Sequence, residues 1–263
     1  MTTSTVLTEI RGHTAVVTLN KPALHNAFDD ELIHHLTETL RRMEAHAGVR
    51  MVVLAAQGKS FSAGADLNWM KRMAGYSFEE NLADARKLAQ LMGTLNGLSK
   101  PTVGKIQGAA FGGGVGLVAC CDIAIAASSA SFCLSETRLG LIPAVISPYV
   151  SAAIGERQAR RYFVTAERFD AGEARRIGLV HEVVEPDQLD GRVEEILQVM
   201  AANGPQAMAA AKDLARVVGQ APIDATLVEE TARRIATIRA GDEGREGVSA
   251  FLDKRKPAWT EKP

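Results

Sequence analysis

Three consecutive glycines, Gly112, Gly113 and Gly114, stand in the run IQGAAFGGGVGL at 106–117 and bare backbone N–H groups that no side chain shields. A strand-like stretch at 102–106 precedes them and an apolar helical pattern follows, so unpaired N–H groups meet the positive end of a helix dipole. Such a place binds an anion, or an oxygen that becomes one during a reaction. Glycine clusters also serve close backbone packing, and this run alone does not choose between the two uses. A second segment, FSAGAD at 61–66, follows a buried-strand run at 49–56 and the turn QGKS. Its small residues leave the amide of Ala65 open to a ligand. Two bared amides can share one oxygen. The carboxylate of Glu136, in SETR at 135–138, reads by itself as an acid in the first turn of a helix.

Together the AGAD and GGG segments resemble the enoyl-CoA hydratase/isomerase family, the crotonase superfamily. The resemblance runs nearly end to end, through LNKPALHNA at 19–27, CDIAIA at 121–126, FDAGEARRIGLV at 169–180 and REGVSAFLDKR at 245–255. It implies that the N–H groups of Ala65 and Gly113 form an oxyanion hole for the thioester carbonyl of an acyl-CoA. Within the superfamily, ETRLGLIPAVISPY at 136–149 is most similar to the bacterial methylglutaconyl-CoA hydratase branch, in which ISPY replaces the usual GGTQ.

Hydration of an α,β-unsaturated thioester puts negative charge on the thioester oxygen, and it moves a proton from water to the α-carbon. Hydratases of the family use two glutamates for the proton. The later one aligns with Glu136; the earlier one falls on Gly116. A single carboxylate suits a double-bond isomerase, which removes a proton at one carbon and returns it at another. It also suits a hydratase in which Glu136 relays the proton of water, or in which a substrate carboxylate or ordered water replaces the absent group. The ISPY similarity favours a hydratase acting on a branched or glutaconyl-type enoyl-CoA. The alternatives are an isomerase or, because Gly116 deletes a catalytic side chain, an acyl-CoA-binding or assembly subunit without turnover.

The resemblance also places coenzyme A, as part of the substrate, along Ala23, His25, Ala63, Asp66 and Leu67, with Lys254 reaching a phosphate from a neighbouring subunit. Read without it, Asp66 is a helix N-cap and Lys254 a solvated lysine. Acyl selectivity is expected from Trp69, Met70, Met73 and the 143–149 segment, with Pro143, Ala144 and Gly116 in the pocket. Core packing on an amphipathic helix is the other reading, and the favoured one for Met73. An acyl group with a second carboxylate would need a basic partner, for which Lys71, Arg72 and Arg138 are candidates.

The 263 residues carry a formal net charge of -1 and are 46% hydrophobic, enough for a sizeable core. The charge gives no reason to expect nucleic acid. Cys120, Cys121 and Cys133 lie in apolar sequence without metal-site spacing, and the six histidines show no spaced ligand pair, so buried thiols and no metal or prosthetic group are expected. The start, MTTSTVL, lacks the pattern of a leader, and no apolar run approaches the ~20 residues that span a bilayer. A cytoplasmic enzyme without membrane association is the expectation.

Periodicity gives two strands at 6–10 and 14–19, then a helix capped by Asp29 or Asp30 with Leu32, Leu36, Leu40 and Met43 on one face. A strand at 49–56, a helix at 78–98 and strand signals at 102–106, 122–126, 131–134 and 179–184 follow. Asp170 and Glu173 have capping-box spacing. Alternating strands and helices mean an α/β core, and the resemblance makes it a spiral of ββα units. From Pro186 onward helix formers dominate, which divides the chain into a 1–186 core and a 187–263 helical region. In the family that region builds trimers, often paired into hexamers; its apolar residues suit the chain's own core equally well.

Overall fold

The computed structural model describes residues 4–260, so the first three residues of the MTTSTVL start lie outside it. The first hairpin is formed by β1 (Val6–Arg11) and β2 (Thr14–Leu19), with Arg11 opposite Thr14 across Gly12 at φ +57°. The second strand pairs in parallel with β3 (Met51–Ala56) by way of α1 (Asp30–Ala45). Asp29 is the cap: its carboxylate accepts from Leu32 N–H at 2.9 Å, and Leu32, Ile33, Leu36, Leu40 and Met43 are buried. The sheet continues through β4 (Thr102–Ile106), β6 (Ile123–Ala127) and β9 (Glu182–Val184), giving the order β1-β2-β3-β4-β6-β9, parallel apart from β1. Between β3 and β4 lie α2 (Leu67–Met73) and α3 (Phe78–Gly97), the latter started by a reciprocal capping box between Ser77 and Glu80.

A second sheet has three short strands, of which the sequence pattern showed only the one at 131–134. It joins β5 (Ala109–Phe111), β7 (Ser131–Cys133) and β8 (Phe169–Asp170). The first of these lies between the 102–106 strand and the glycines, so the chain does not pass directly from sheet to helix there. Three residues, Ala-Ala-Phe, are too few to show a period. Next come α4 (Gly113–Cys120), α5 (Ser147–Thr165) and α6 (Ala171–Arg176).

Two local expectations are corrected. The 179–184 strand shortens to Glu182–Val184, because the N–H groups of Leu179 and Val180 turn back to the Ala174 carbonyl at 2.9 and 3.3 Å behind Gly178. At α6 only half of the capping box forms. Asp170 accepts from Glu173 N–H, but the Glu173 carboxylate is taken by Tyr162 Oη and Arg176.

The chain divides into two compact units, one running to Leu98 and from Thr102 to Val193, the other Ser99–Pro101 with Glu194 onward. The division falls inside α7 (Leu189–Ala201). In the second unit, α8 (Pro205–Gln220) is started by the Glu243 carboxylate of α10 (Asp242–Leu252), which accepts from the N–H groups of Gln206 and Ala207, where a helix dipole favours negative charge. Arg234 of α9 (Ala225–Ala240) pairs with Asp213 at 2.7 Å. No residue of α9 is buried, and Val228, Ile235, Val248, Phe251 and Leu252 are exposed, so these apolar side chains do not fill a core of their own chain.

Candidate active site

Two loops are locked together by Asn26, which is fully buried at φ +54°. Its Oδ1 accepts from Lys21 N–H, and its Nδ2 donates to the carbonyls of Gln57 and Ser60 at 2.9 and 2.8 Å. All the hydrogen-bonding groups of this amide face backbone partners or their vicinity, as burial requires. His25, also left-handed, points outward with Nδ1 3.0 Å from Ser60 Oγ, and its carbonyl accepts from Ala63 N–H. Ala23, His25 and Ala63 are thereby set along one connected ridge, with Ala23 and His25 exposed.

Past Ala63 the chain turns at Gly64, φ +89°, and a Cβ there would stand 3.2 Å from the Phe111 carbonyl oxygen. The turn delivers the Gly64 carbonyl to Phe28 N–H at 2.7 Å, while Asp66 N–H reaches the Phe28 carbonyl at 2.8 Å. In a trans peptide C=O and N–H point opposite ways. The Ala65 N–H therefore faces away from Phe28, and it has no acceptor among the described residues. Across the gap, Gly112 has φ +50° and donates to the Cys133 carbonyl. Gly113 is the first residue of α4, and its N–H likewise has no acceptor among the described residues. Helix starts leave such donors unpaired. The ring of Phe28 packs where a Cβ on Gly113 would be, 3.0 Å away at Cε2.

Glu136 closes the group. It begins a 3-10 turn, Glu136–Leu139, directly after β7, and Ser135 gives no side-chain cap. A Cβ on Gly112 would lie 3.2 Å from Glu136 Oε1 and 3.9 Å from Gly64 Cα, so the AGAD segment, the glycines and the carboxylate meet at one point. Oε2 is buried without a hydrogen-bond partner. Burial pushes this carboxyl above the usual carboxylate range. The arrangement offers two bare amides and one acid whose protonated form persists to higher pH.

At Gly116 the nearest atoms are apolar. A Cβ there would fall 2.3 Å from Ile146 Cγ2, 2.9 Å from Ile146 Cβ and 3.2 Å from Met92 Cε. A glutamate at 116 has no room.

The remaining candidates separate. Asp66 is buried and its Oδ1 is occupied in capping α2, accepting from Asn68 and Trp69 N–H at 2.8 and 3.1 Å. Leu67 is 73% exposed beside Ala65, whereas Trp69 is 4% exposed and belongs to the core. Trp69 lies next to the buried Asp84 of α3, whose carboxyl burial raises. Met70 and Met73 are half-buried, Met73 against the core. Pro143 is buried and Ala144 exposed. Arg72 is engaged by Asp30 at 2.7 Å, while Lys71 and Arg138 are exposed and make no ion pair among the described residues. Lys254, in the second unit, is exposed at φ +54°. The three cysteines are buried and form no disulfide among the described residues. Sequence reasoning missed Phe28 and Asn26, although Asn26 lies within the LNKPALHNA run and Phe28 directly follows it; an asparagine at a left-handed position was the available signal for Asn26. Among the described residues no cluster of three or more His, Cys, Asp or Glu side chains is placed to hold a metal ion, and no helix is long and apolar enough to cross a membrane.

An α/β core presenting two bare amides beside a buried carboxyl is the arrangement of the crotonase fold. The profile of the enoyl-CoA hydratase/isomerase family matches residues 9–262, and the chain belongs to that family of enzymes. An enoyl-CoA hydratase from Shewanella pealeana has the same fold, with a TM-score of 0.94 and 46% identity over 97% of this chain and 96% of that one. The short-chain-enoyl-CoA hydratase of Clostridium acetobutylicum is 32% identical over 262 residues, 97% of each chain. The 2,3-dehydroadipyl-CoA hydratase of Escherichia coli is 32% identical over 244 residues, 92% of this chain and 93% of the relative. Members of the family act on CoA thioesters.

Proposed function

We propose that this chain is an acyl-CoA hydratase that adds water across the α,β double bond of a branched or glutaconyl-type enoyl-CoA. The observation that carries this is the convergence of Glu136 with the unpaired amides of Ala65 and Gly113. The thioester oxygen accepts from both amides. Water attacks the β-carbon, forming the C–O bond, while the π pair moves toward the α-carbon and carbonyl. The charge gathers on the thioester oxygen, where preorganised donors act without reorganising. Glu136 takes the proton from water and returns it to the α-carbon, so that one water is added and the thioester stays intact. A carboxyl raised by burial suits both halves of that relay.

A second carboxylate on the acyl group is consistent with the relative named for 2,3-dehydroadipyl-CoA, and Arg138, two residues beyond Glu136, is a cation available to meet it. In this reading CoA runs along Ala23, His25, Ala63 and Leu67 with the backbone at Asp66, and Lys254 reaches a phosphate of a neighbouring copy. The helical region then builds a trimer or hexamer, which sedimentation at micromolar protein would reveal and a lone monomer would contradict.

The apolar filling of the space at Gly116 favours one further reading, an isomerase that uses Glu136 alone to move a proton along the acyl chain. Incubation with crotonyl-, 3-methylcrotonyl-, 3-methylglutaconyl- and 3-enoyl-CoA, followed by mass analysis, separates these outcomes. Gain of one water identifies the hydratase. A shifted double bond at unchanged mass identifies the isomerase, and binding without either product leaves a subunit that has lost turnover.

A further inference from the structure

We infer that Ile146 sets acyl selectivity at this site, by filling from a distant segment the volume that a side chain at position 116 would take and so favouring acyl groups with a carbon substituent on the β-carbon. The inference rests on the acyl-CoA site proposed above, not on which reaction it performs. Gly112 is the residue that precedes α4, and its carbonyl accepts from Gly116 N–H at 3.3 Å, which sets position 116 one turn beyond it. Glu136 Oε1 stands over the first and Ile146 Cγ2 over the second. The bare N–H of Gly113 lies between them in sequence. An acyl group held at that amide has the carboxyl toward one end and a hydrocarbon wall toward the other.

That wall is stiff. Ile146 is 2% exposed and branched at Cβ, which restricts its side-chain rotation. Its carbonyl already accepts from Tyr149 and Val150 N–H at 3.2 and 3.0 Å, fixing it at the start of α5. Met92 Cε is the next atom of that surface, so the three atoms nearest to position 116 are all apolar. A hydrogen in place of a methyl on the substrate leaves a gap that a rigid wall does not close, and one methylene in such a pocket is worth ~10–200-fold in discrimination.

The test compares binding of isovaleryl-CoA and butyryl-CoA, saturated thioesters with and without the β-methyl, by titration calorimetry on the full chain. The parent is expected to favour isovaleryl-CoA by ~10-fold or more. Ile146→Ala should shrink that ratio at least fivefold, on the order of one methylene contact, whereas Ile146→Val, which keeps the branch, should hold it within about twofold. Should Ile146→Ala fail to fold, Ile146→Leu keeps the volume while withdrawing the branch and gives the same readout. In parallel, Gly116→Ala should lower the melting temperature of the parent clearly more than that of an Ile146→Ala background. A parent without preference, a ratio unmoved by the folded variants, or an equal Gly116→Ala shift in both backgrounds overturns the inference. Absence of hydrated product with the binding preference intact would instead remove the hydratase reading and leave Ile146 in its role.

Discussion

The ring of Phe28 lies under Gly113, 3.0 Å from where a Cβ would be, while the backbone of the same residue holds Gly64 and Asp66. One residue thus sets the position of both bare amides. Phe28→Ala is expected to cost ~3–5 kcal/mol in denaturant unfolding, as for other buried aromatic truncations. Its folded fraction should lose kcat more than affinity for acyl-CoA. Unaltered kcat in the folded variant would separate Phe28 from the amides.

The role proposed for the Gly113 N–H can be isolated by a pair of substitutions. Gly113 occupies the first helical position, where proline is tolerated. Gly113→Ala and Gly113→Pro press on Phe28 alike, but only the second removes the donor. Turnover of Gly113→Pro should fall ~10²–10³-fold below that of Gly113→Ala, the usual consequence of losing one oxyanion donor. Equal turnover in the two variants would rule the amide out.

Glu136→Gln should lower turnover by ~10²–10⁴-fold while acyl-CoA binding is largely kept. Stability should move the other way. Because burial raises the carboxyl above its ordinary 4.5, the folded chain holds this proton more tightly than the unfolded one, and the associated stability is lost as pH rises through the folded value. The variant should therefore match the parent below the ordinary value and exceed it toward neutral pH. Melting curves between pH 4 and pH 8 that run parallel would contradict the buried, partnerless state of Oε2.

Glu173 behaves oppositely. Hydrogen bonds first from Arg176 and then from Tyr162 bring its carboxyl down to about 2, while burial and Glu173 push the Tyr162 hydroxyl up to about 12. Its stabilisation is present above the ordinary carboxylate value of 4.5 and is lost as pH falls toward about 2. Glu173→Ala should destabilise at neutral pH by ~1–3 kcal/mol, the cost of an unpaired hydroxyl on the fully buried Tyr162. Acid titration of the two proteins should show that difference narrowing, by the part that depends on the charge of Glu173.

Much of this architecture was legible in the chain. The helical face of Leu32, Leu36, Leu40 and Met43, the Asp29 cap and the runs that became β2, β3 and β4 follow from period and capping chemistry. The bare amides were legible because glycine and alanine hide nothing. What stayed hidden depends on contacts between distant segments: β5 gains its identity from pairing with Ser131–Cys133, and Phe28 looks like any core aromatic until its ring is found beneath Gly113. Trp69 illustrates the reverse case, since the spacing that put it near the site also suits the core in which it lies.

The packing of Ile146 against Gly116 also constrains the order in which this sequence can change. A larger side chain at 116 meets a stiff methyl at 2.3 Å, so the step toward a second carboxylate requires Ile146 to move. Shrinking Ile146 first opens a cavity that a later residue at 116 can occupy. Of the two mutational orders between a one-carboxylate and a two-carboxylate site, the one that begins at 146 avoids that overlap and the one that begins at 116 must absorb it.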